Sequence, residues 1–139
     1  MCTIFVVDDD PICHRMIQLM MKKVPGENKV SYYDQTQIAL DHIFHHQNVA
    51  QKLPDIILLD LHMPQVDGWE FLDFLDGLYK LLSKSIAVYV ITSSIREADK
   101  DNAKRFHFVK EFVSKPLSTA KLIEMLESFN ADTMLSNGF

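Results

Sequence analysis

Ile56-Ile57-Leu58-Leu59-Asp60-Leu61-His62-Met63-Pro64 decides the architecture. Four apolar residues run unbroken into an acid, and a proline stands four places after it. A short apolar run without alternation reads as a strand buried on both faces, as in a parallel sheet. Asp60 then sits where the strand leaves the core, partly shielded and still reachable from outside. An aspartate in that place can equally well start a turn, so its meaning depends on the rest of the chain.

Working outward, the same pattern recurs. Ile4-Phe5-Val6-Val7 is a buried strand that also ends in acids, Asp8, Asp9 and Asp10. Asp10-Pro11 marks a helix start, because Asp accepts from free N–H groups and Pro suits the first helical position. The following helix offers Ile12, Met16, Leu19, Met20 and Val24 as its inward side and stops at Pro25-Gly26. Val30–Tyr33 is a short strand. Thr36 to about Gln47 is a helix, with Ala39, Leu40, Ile43 and Phe44 inward and Asp41, His42, His45 and His46 outward. Beyond Asp60 a loop runs to Asp67-Gly68. A helix with Phe71, Leu72, Leu75, Leu78 and Leu82 on its apolar side follows, and Gly77 is a place where it can break. Ile86–Ile91 is a fourth strand ending in Thr92-Ser93-Ser94. A polar helix spans Arg96 to Phe106. The fifth strand lies within Phe108–Ser114, and Lys115-Pro116 follows it. Ser118 or Thr119 caps a last helix with Leu122, Ile123, Leu126 and Phe129 inward. Residues 1–129 form one domain on this pattern, and 130–139 a loose polar tail with no output domain.

Strands alternating with helices give an α/β fold, a doubly wound parallel sheet with helices on both faces. Right-handed crossovers leave few topologies, and ligands bind outside the carboxyl ends of the strands. The 139 residues carry 47% hydrophobic and 24% charged side chains, ordinary for a globular domain, and a net charge of −5. That balance argues against nucleic-acid binding, which rests on Lys and Arg neutralising phosphates. Cys2 and Cys13 lack metal or redox spacing and read as reduced thiols of a cytoplasmic protein. No apolar run reaches membrane-span length, and Met1-Cys2-Thr3 enters a strand without room for a secretion signal.

The residues just past the strand ends form a constellation: Asp8 and Asp9, Asp60, Thr92 and Lys115. Three close carboxylates cannot comfortably all ionise without a cation, and oxygen ligands suit Mg²⁺. A metal, a lysine and a hydroxyl around one carboxylate make a site for a phosphoryl group, with the carboxylate as nucleophile. His42 and His46 share a helix face, but without further ligands a solvated face is the simpler reading than a zinc site.

Val6-Val7-Asp8-Asp9, Leu58-Leu59-Asp60 with Met63-Pro64 and Asp67-Gly68, Ile91-Thr92-Ser93, and Phe112-Val113-Ser114-Lys115-Pro116 occur in that order. Together they resemble the receiver domain of bacterial two-component response regulators, of the stand-alone chemotaxis-regulator kind, over about residues 3 to 129. The resemblance implies a flavodoxin-like sheet with strand order 2-1-3-4-5 and a cis Lys115–Pro116 bond. It implies Asp60 as phosphoacceptor from a sensor histidine kinase or phosphotransfer protein. Mg²⁺ would be held by Asp9, Asp60 and the backbone carbonyl of His62, with Asp8 acting through water. Thr92 and Phe112 would be the switch pair, Lys115 the partner of the phosphoryl group, and the surface of helix four, strand five and helix five the face read by a downstream protein. The chain is expected to be a monomer or weak dimer that catalyses only its own phosphorylation and dephosphorylation. His62 and Ser94, each two places past a site residue, would flank the entrance. Two rival readings stand beside this one: a small phosphatase with Asp8 as nucleophile, and a receiver-like module that binds partners without phosphate.

Overall fold

The computed structural model describes residues 1–63, 67–93 and 95–136. Five strands, β1 (Cys2–Val7), β2 (Asn28–Tyr33), β3 (Ile56–Leu59), β4 (Ala87–Thr92) and β5 (Val109–Ser114), alternate with five helices. The helices are α1 (Pro11–Met21), α2 (Thr36–His45), α3 (Gly68–Leu78), α4 (Glu97–Ala103) and α5 (Thr119–Ser136). All strand pairs are parallel and the order is β2-β1-β3-β4-β5, as expected.

The unbroken apolar runs are explained by two cores, one on each face of the sheet. Side chains alternate across a strand. Phe5 and Val7, Ile57 and Leu59, and Val88 and Val90 therefore face one side, where Ala39, Leu40 and Ile43 of α2 and Phe71, Leu72 and Leu75 of α3 cover them. Ile4 and Val6, Ile56 and Leu58, and Tyr89 and Ile91 face the other, under Ile17 of α1 and Leu122, Met125 and Leu126 of α5. The central strands must be apolar at every position because neither face meets water.

Helix starts follow the sequence closely. Asp10 Oδ1 accepts from the Ile12 N–H at 2.9 Å, Asp67 Oδ1 from the Glu70 N–H at 3.0 Å, and Ser118 Oγ from the Lys121 N–H at 3.1 Å. Lys115–Pro116 is cis.

Three expectations are corrected. In α1 the inward stripe is Cys13, Ile17, Met20 and Met21, with Val24 just beyond, whereas Ile12, Met16 and Leu19 are 68%, 39% and 45% exposed. Two adjoining apolar stripes, 12, 16, 19 and 13, 17, 20, share one period on this helix, and the second is the one turned inward. In α2, Phe44 points to solvent while His42 and His46 are half-buried. The His42 ring meets Phe5 edge-on, lies tilted against the His46 ring with centroids 4.2 Å apart, and sets Nε2 2.8 Å from the Lys52 carbonyl. The polar tail is also partly helical: α5 passes through residue 129 and runs to Ser136. No Gly or Pro interrupts the sequence between Leu117 and Gly138. The break expected near Gly77 is found one residue later: α3 ends at Leu78 in a 3₁₀ turn over Tyr79–Leu81, and Leu82 lies beyond the helix. Pro64, Ser94 and residues 137–139 lie outside the described residues.

Candidate functional site

The sheet ladder carries the site residues one step past the strands. The Asp8 N–H donates to the Tyr33 carbonyl at 3.0 Å, the Asp60 N–H to the Val7 carbonyl at 3.0 Å, and the Lys115 N–H to the Thr92 carbonyl at 2.8 Å. Each backbone is thus fixed by its neighbour strand, while the side chains leave the pleated core at one rim.

There the acids converge. One carboxylate oxygen from each of Asp8, Asp9 and Asp60 lies within 4.8 Å of the other two. Asp8 is 3% and Asp60 7% exposed, and Asp9 stands in solvent. Lys115 Nζ bridges the buried pair, 2.7 Å from Asp8 Oδ2 and 3.4 Å from Asp60 Oδ2. The other oxygens are held by the backbone: Asp8 Oδ1 accepts from the Asp10 N–H at 2.9 Å, and Asp60 Oδ1 from the His62 N–H at 3.2 Å.

Burial pushes the Asp60 carboxyl above the usual carboxylate range, and the neighbouring charge of Asp8 adds to the rise. The His62 N–H and Lys115 pull the other way without prevailing. For Lys115, burial works against its charge, yet the bond to Asp8 and the charges of Asp8 and Asp60 outweigh it, and its ammonium is held above the ordinary lysine range. One lysine cannot balance three carboxylates. The residual negative charge, with oxygen donors facing one point, is the donor chemistry a hard divalent cation takes. Among the described residues this trio is the one His, Cys, Asp and Glu group whose atoms converge as metal ligands do. The helix histidines do not.

The remaining sequence candidates fall nearby. Thr92 ends β4 fully buried, in register with Ser114, next to Lys115. Phe112 is half-buried against the α2–α3 core and lines a hollow of about 370 Å³ with Lys100, Lys104 and Lys110. His62 is exposed.

One structural requirement was only half legible. In the sequence Gly68 closes the loop; in the structure its role is steric. A Cβ there would lie 2.5 Å from Leu61 Cα and 2.7 Å from the Asp60 carbonyl oxygen. Glycine lets α3 start against the backbone of the acceptor loop, and its N–H donates to the Leu61 carbonyl at 3.0 Å. Asp67-x-x-Glu70, a capping pattern, was the available signal.

A model of the response regulator receiver domain family matches residues 4–127. The chain belongs to this family. Among its relatives, the probable methanogenesis regulatory protein FilR2 of Methanothrix harundinacea is 29% identical to this receiver over 124 residues, covering 89% of the receiver and 78% of the relative. Against protein-glutamate methylesterases of Leptospira interrogans, the receiver spans only 26% of the other protein's length. A two-component response regulator of Cytophaga hutchinsonii shares the fold with a TM-score of 0.81 at 22% identity, over 93% of the receiver and 96% of that chain. The phosphorylated cyanobacterial phytochrome response regulator RcpA is 27% identical with a TM-score of 0.71, over 91% and 89%.

Proposed function

We propose that the chain is the phosphoacceptor of a two-component pathway, taking a phosphoryl group on Asp60 from a sensor histidine kinase or a phosphotransfer protein. The supporting observation is the Lys115 ammonium 2.7 and 3.4 Å from two buried carboxylates at the rim where Asp9 joins them. One Asp60 oxygen forms the new O–P bond as the P–N bond to the donor imidazole breaks, and the imidazole leaves with the electron pair. Lys115 then swings its charge from Asp60 to a phosphoryl oxygen, and the Thr92 hydroxyl donates to another. Mg²⁺, held by Asp9, Asp60 and the His62 carbonyl and through water by Asp8, would supply further neutralisation of the phosphoryl oxygens when bound.

Asp60 is favoured over Asp8 as nucleophile by its looser contacts. Both oxygens of Asp8 are engaged at 2.7 and 2.9 Å, those of Asp60 at 3.4 and 3.2 Å. An exposed apolar patch on α1 adjoins this rim: Ile12 and Met16 line a hollow of about 300 Å³ with Asp10, Lys115, Pro116 and Leu117. It is the docking surface we assign to the phosphodonor. Movement of Thr92 toward the phosphoryl group would let Phe112 turn inward and remodel the face of α4, β5 and α5 for a downstream protein. The chain would act on no separate substrate and would work in the cytoplasm; no helix among the described residues is long and apolar enough to cross a membrane.

Incubation with acetyl phosphate and Mg²⁺, trapping of the adduct and mass mapping tests this. Label on Asp60, lost in Asp60→Asn, is expected. Label on Asp8 would favour the phosphatase reading, and no label the phosphate-independent module.

A further inference from the structure

The α2–α3 surface lies on the opposite face of the sheet from α1 and carries an unused groove of about 400 Å³. Leu40, Phe44, Phe74 and Leu78 form its walls, and Asp41 and Asp73 its rims. Phe44 and Phe74 are 51% and 57% exposed. The groove is open because Gly77 contributes no side chain: nothing lies within 4 Å of where its Cβ would be. Neither α2 nor α3 contains a lysine or arginine. Arg105 pairs with Asp73 at 3.2 Å, and Asp41, Glu70 and Asp76 keep the surface acidic. An apolar groove with acidic rims accepts an amphipathic helix with basic flanks.

This chain itself presents such a helix. The exposed residues Ile12, Met16 and Leu19 of α1 follow i, i+4, i+7 spacing on one stripe. Arg15 and Lys22, seven apart, flank that stripe on one side, Lys23 continues it, and α1 contains no acid. We propose that α1 of a second copy seats its Ile12–Met16–Leu19 stripe in the α2–α3 groove of the first, giving head-to-tail self-association. Donor and acceptor patches lie on opposite faces, so the contact is heterologous and extends into chains or closes into rings. A single helix in a groove is at the small end of specific interfaces, so the association is weak and salt-sensitive. Each contact also covers the α1 patch assigned above to the phosphodonor; that consequence rests on the proposed function, whereas the contact itself does not.

Sedimentation velocity over a series from micromolar to near-millimolar protein tests the contact without phosphate. The expected result is a weight-average sedimentation coefficient that rises with concentration and less so in high salt. Gly77→Leu builds a side chain into the groove from a position where a Cβ meets nothing within 4 Å, should melt no lower than the native chain, and should sediment as a monomer. Arg15→Glu/Lys22→Glu and Asp41→Lys/Asp73→Lys should each be monomeric alone and associate when mixed. A native chain that stays monomeric throughout, whether or not its groove binds a synthetic peptide of residues 11–24, overturns the proposal. So does association that Gly77→Leu leaves unchanged.

Discussion

Two glycines separate steric necessity from helix propensity. Gly68 faces backbone atoms at 2.5 and 2.7 Å, which cannot move aside as a side chain tip can. Gly68→Ala is expected to cost about 1–3 kcal/mol, the usual range for overpacking. It should also slow labelling of Asp60 by acetyl phosphate, since the displaced atoms carry the acceptor loop. Gly77→Ala meets nothing and should stabilise α3 by about 1 kcal/mol without changing labelling. Urea unfolding curves and adduct yields decide both. Asp60 makes the complementary case for charge. Its carboxyl lies above the usual range mainly through burial, so the folded state binds a proton more readily than the unfolded chain. Ionised Asp60 therefore costs stability above its raised folded pKa, and the cost fades as pH falls toward the unfolded value. Asp60→Asn escapes it and should be more stable than the native chain at neutral pH. That advantage should vanish in acid, and urea midpoints measured at both pH values check the sign.

At the scale of helices and strands, the buried strands were legible because every position in Ile56–Leu59 is apolar, and such a run suits two-sided cover. Asp8 and Asp60 were legible for the same reason, being the first polar side chains after such runs; Lys115 follows a strand that carries Lys110, Glu111 and Ser114, and was legible through Pro116 after it. What the sequence could not yield was phase. In α1 the stripes 12, 16, 19 and 13, 17, 20 have equal period and similar hydropathy, and only the packed structure shows that the second is buried. In α2 a half-buried histidine looks the same in sequence as a solvated one until the Lys52 carbonyl is placed beside it. The phase of α1 has a functional side, because it leaves Ile12 and Met16 beside Lys115 and Pro116. Met16→Asp should slow transfer from a phosphohistidine protein by tenfold or more, roughly the effect of losing one apolar anchor at about 1.4 kcal/mol. Labelling by acetyl phosphate, which is too small to need the patch, should be unchanged. Parallel time courses with the two donors measure the ratio.

For the whole molecule, the decisive quantity is the unbalanced charge that folding concentrates at one pole. The chain carries −5 overall, and folding brings three of its carboxylates within 4.8 Å with a single lysine between two of them. Assembling that cluster opposes folding, so a cation that binds only the assembled form must stabilise the whole domain by linkage. At a Mg²⁺ concentration about tenfold above its Kd, the gain is about 1.4 kcal/mol. For a domain of this size, that is a rise of several degrees in Tm. Asp9→Asn should abolish the rise, because Asp9 is the exposed member through which a solvated ion would enter. Asp10→Asn is the control. Asp10 lies next in sequence, but its carboxylate caps α1 through the Ile12 N–H. Asn caps nearly as well as Asp, so the baseline Tm should hardly move and the Mg²⁺ response should be native. Lowering the pH should shrink the native response, since protons compete for the same oxygens. Thermal melts of the three proteins, with and without Mg²⁺ and at neutral and acid pH, distinguish a specific site from general screening: screening would raise Asp9→Asn as much as the native chain.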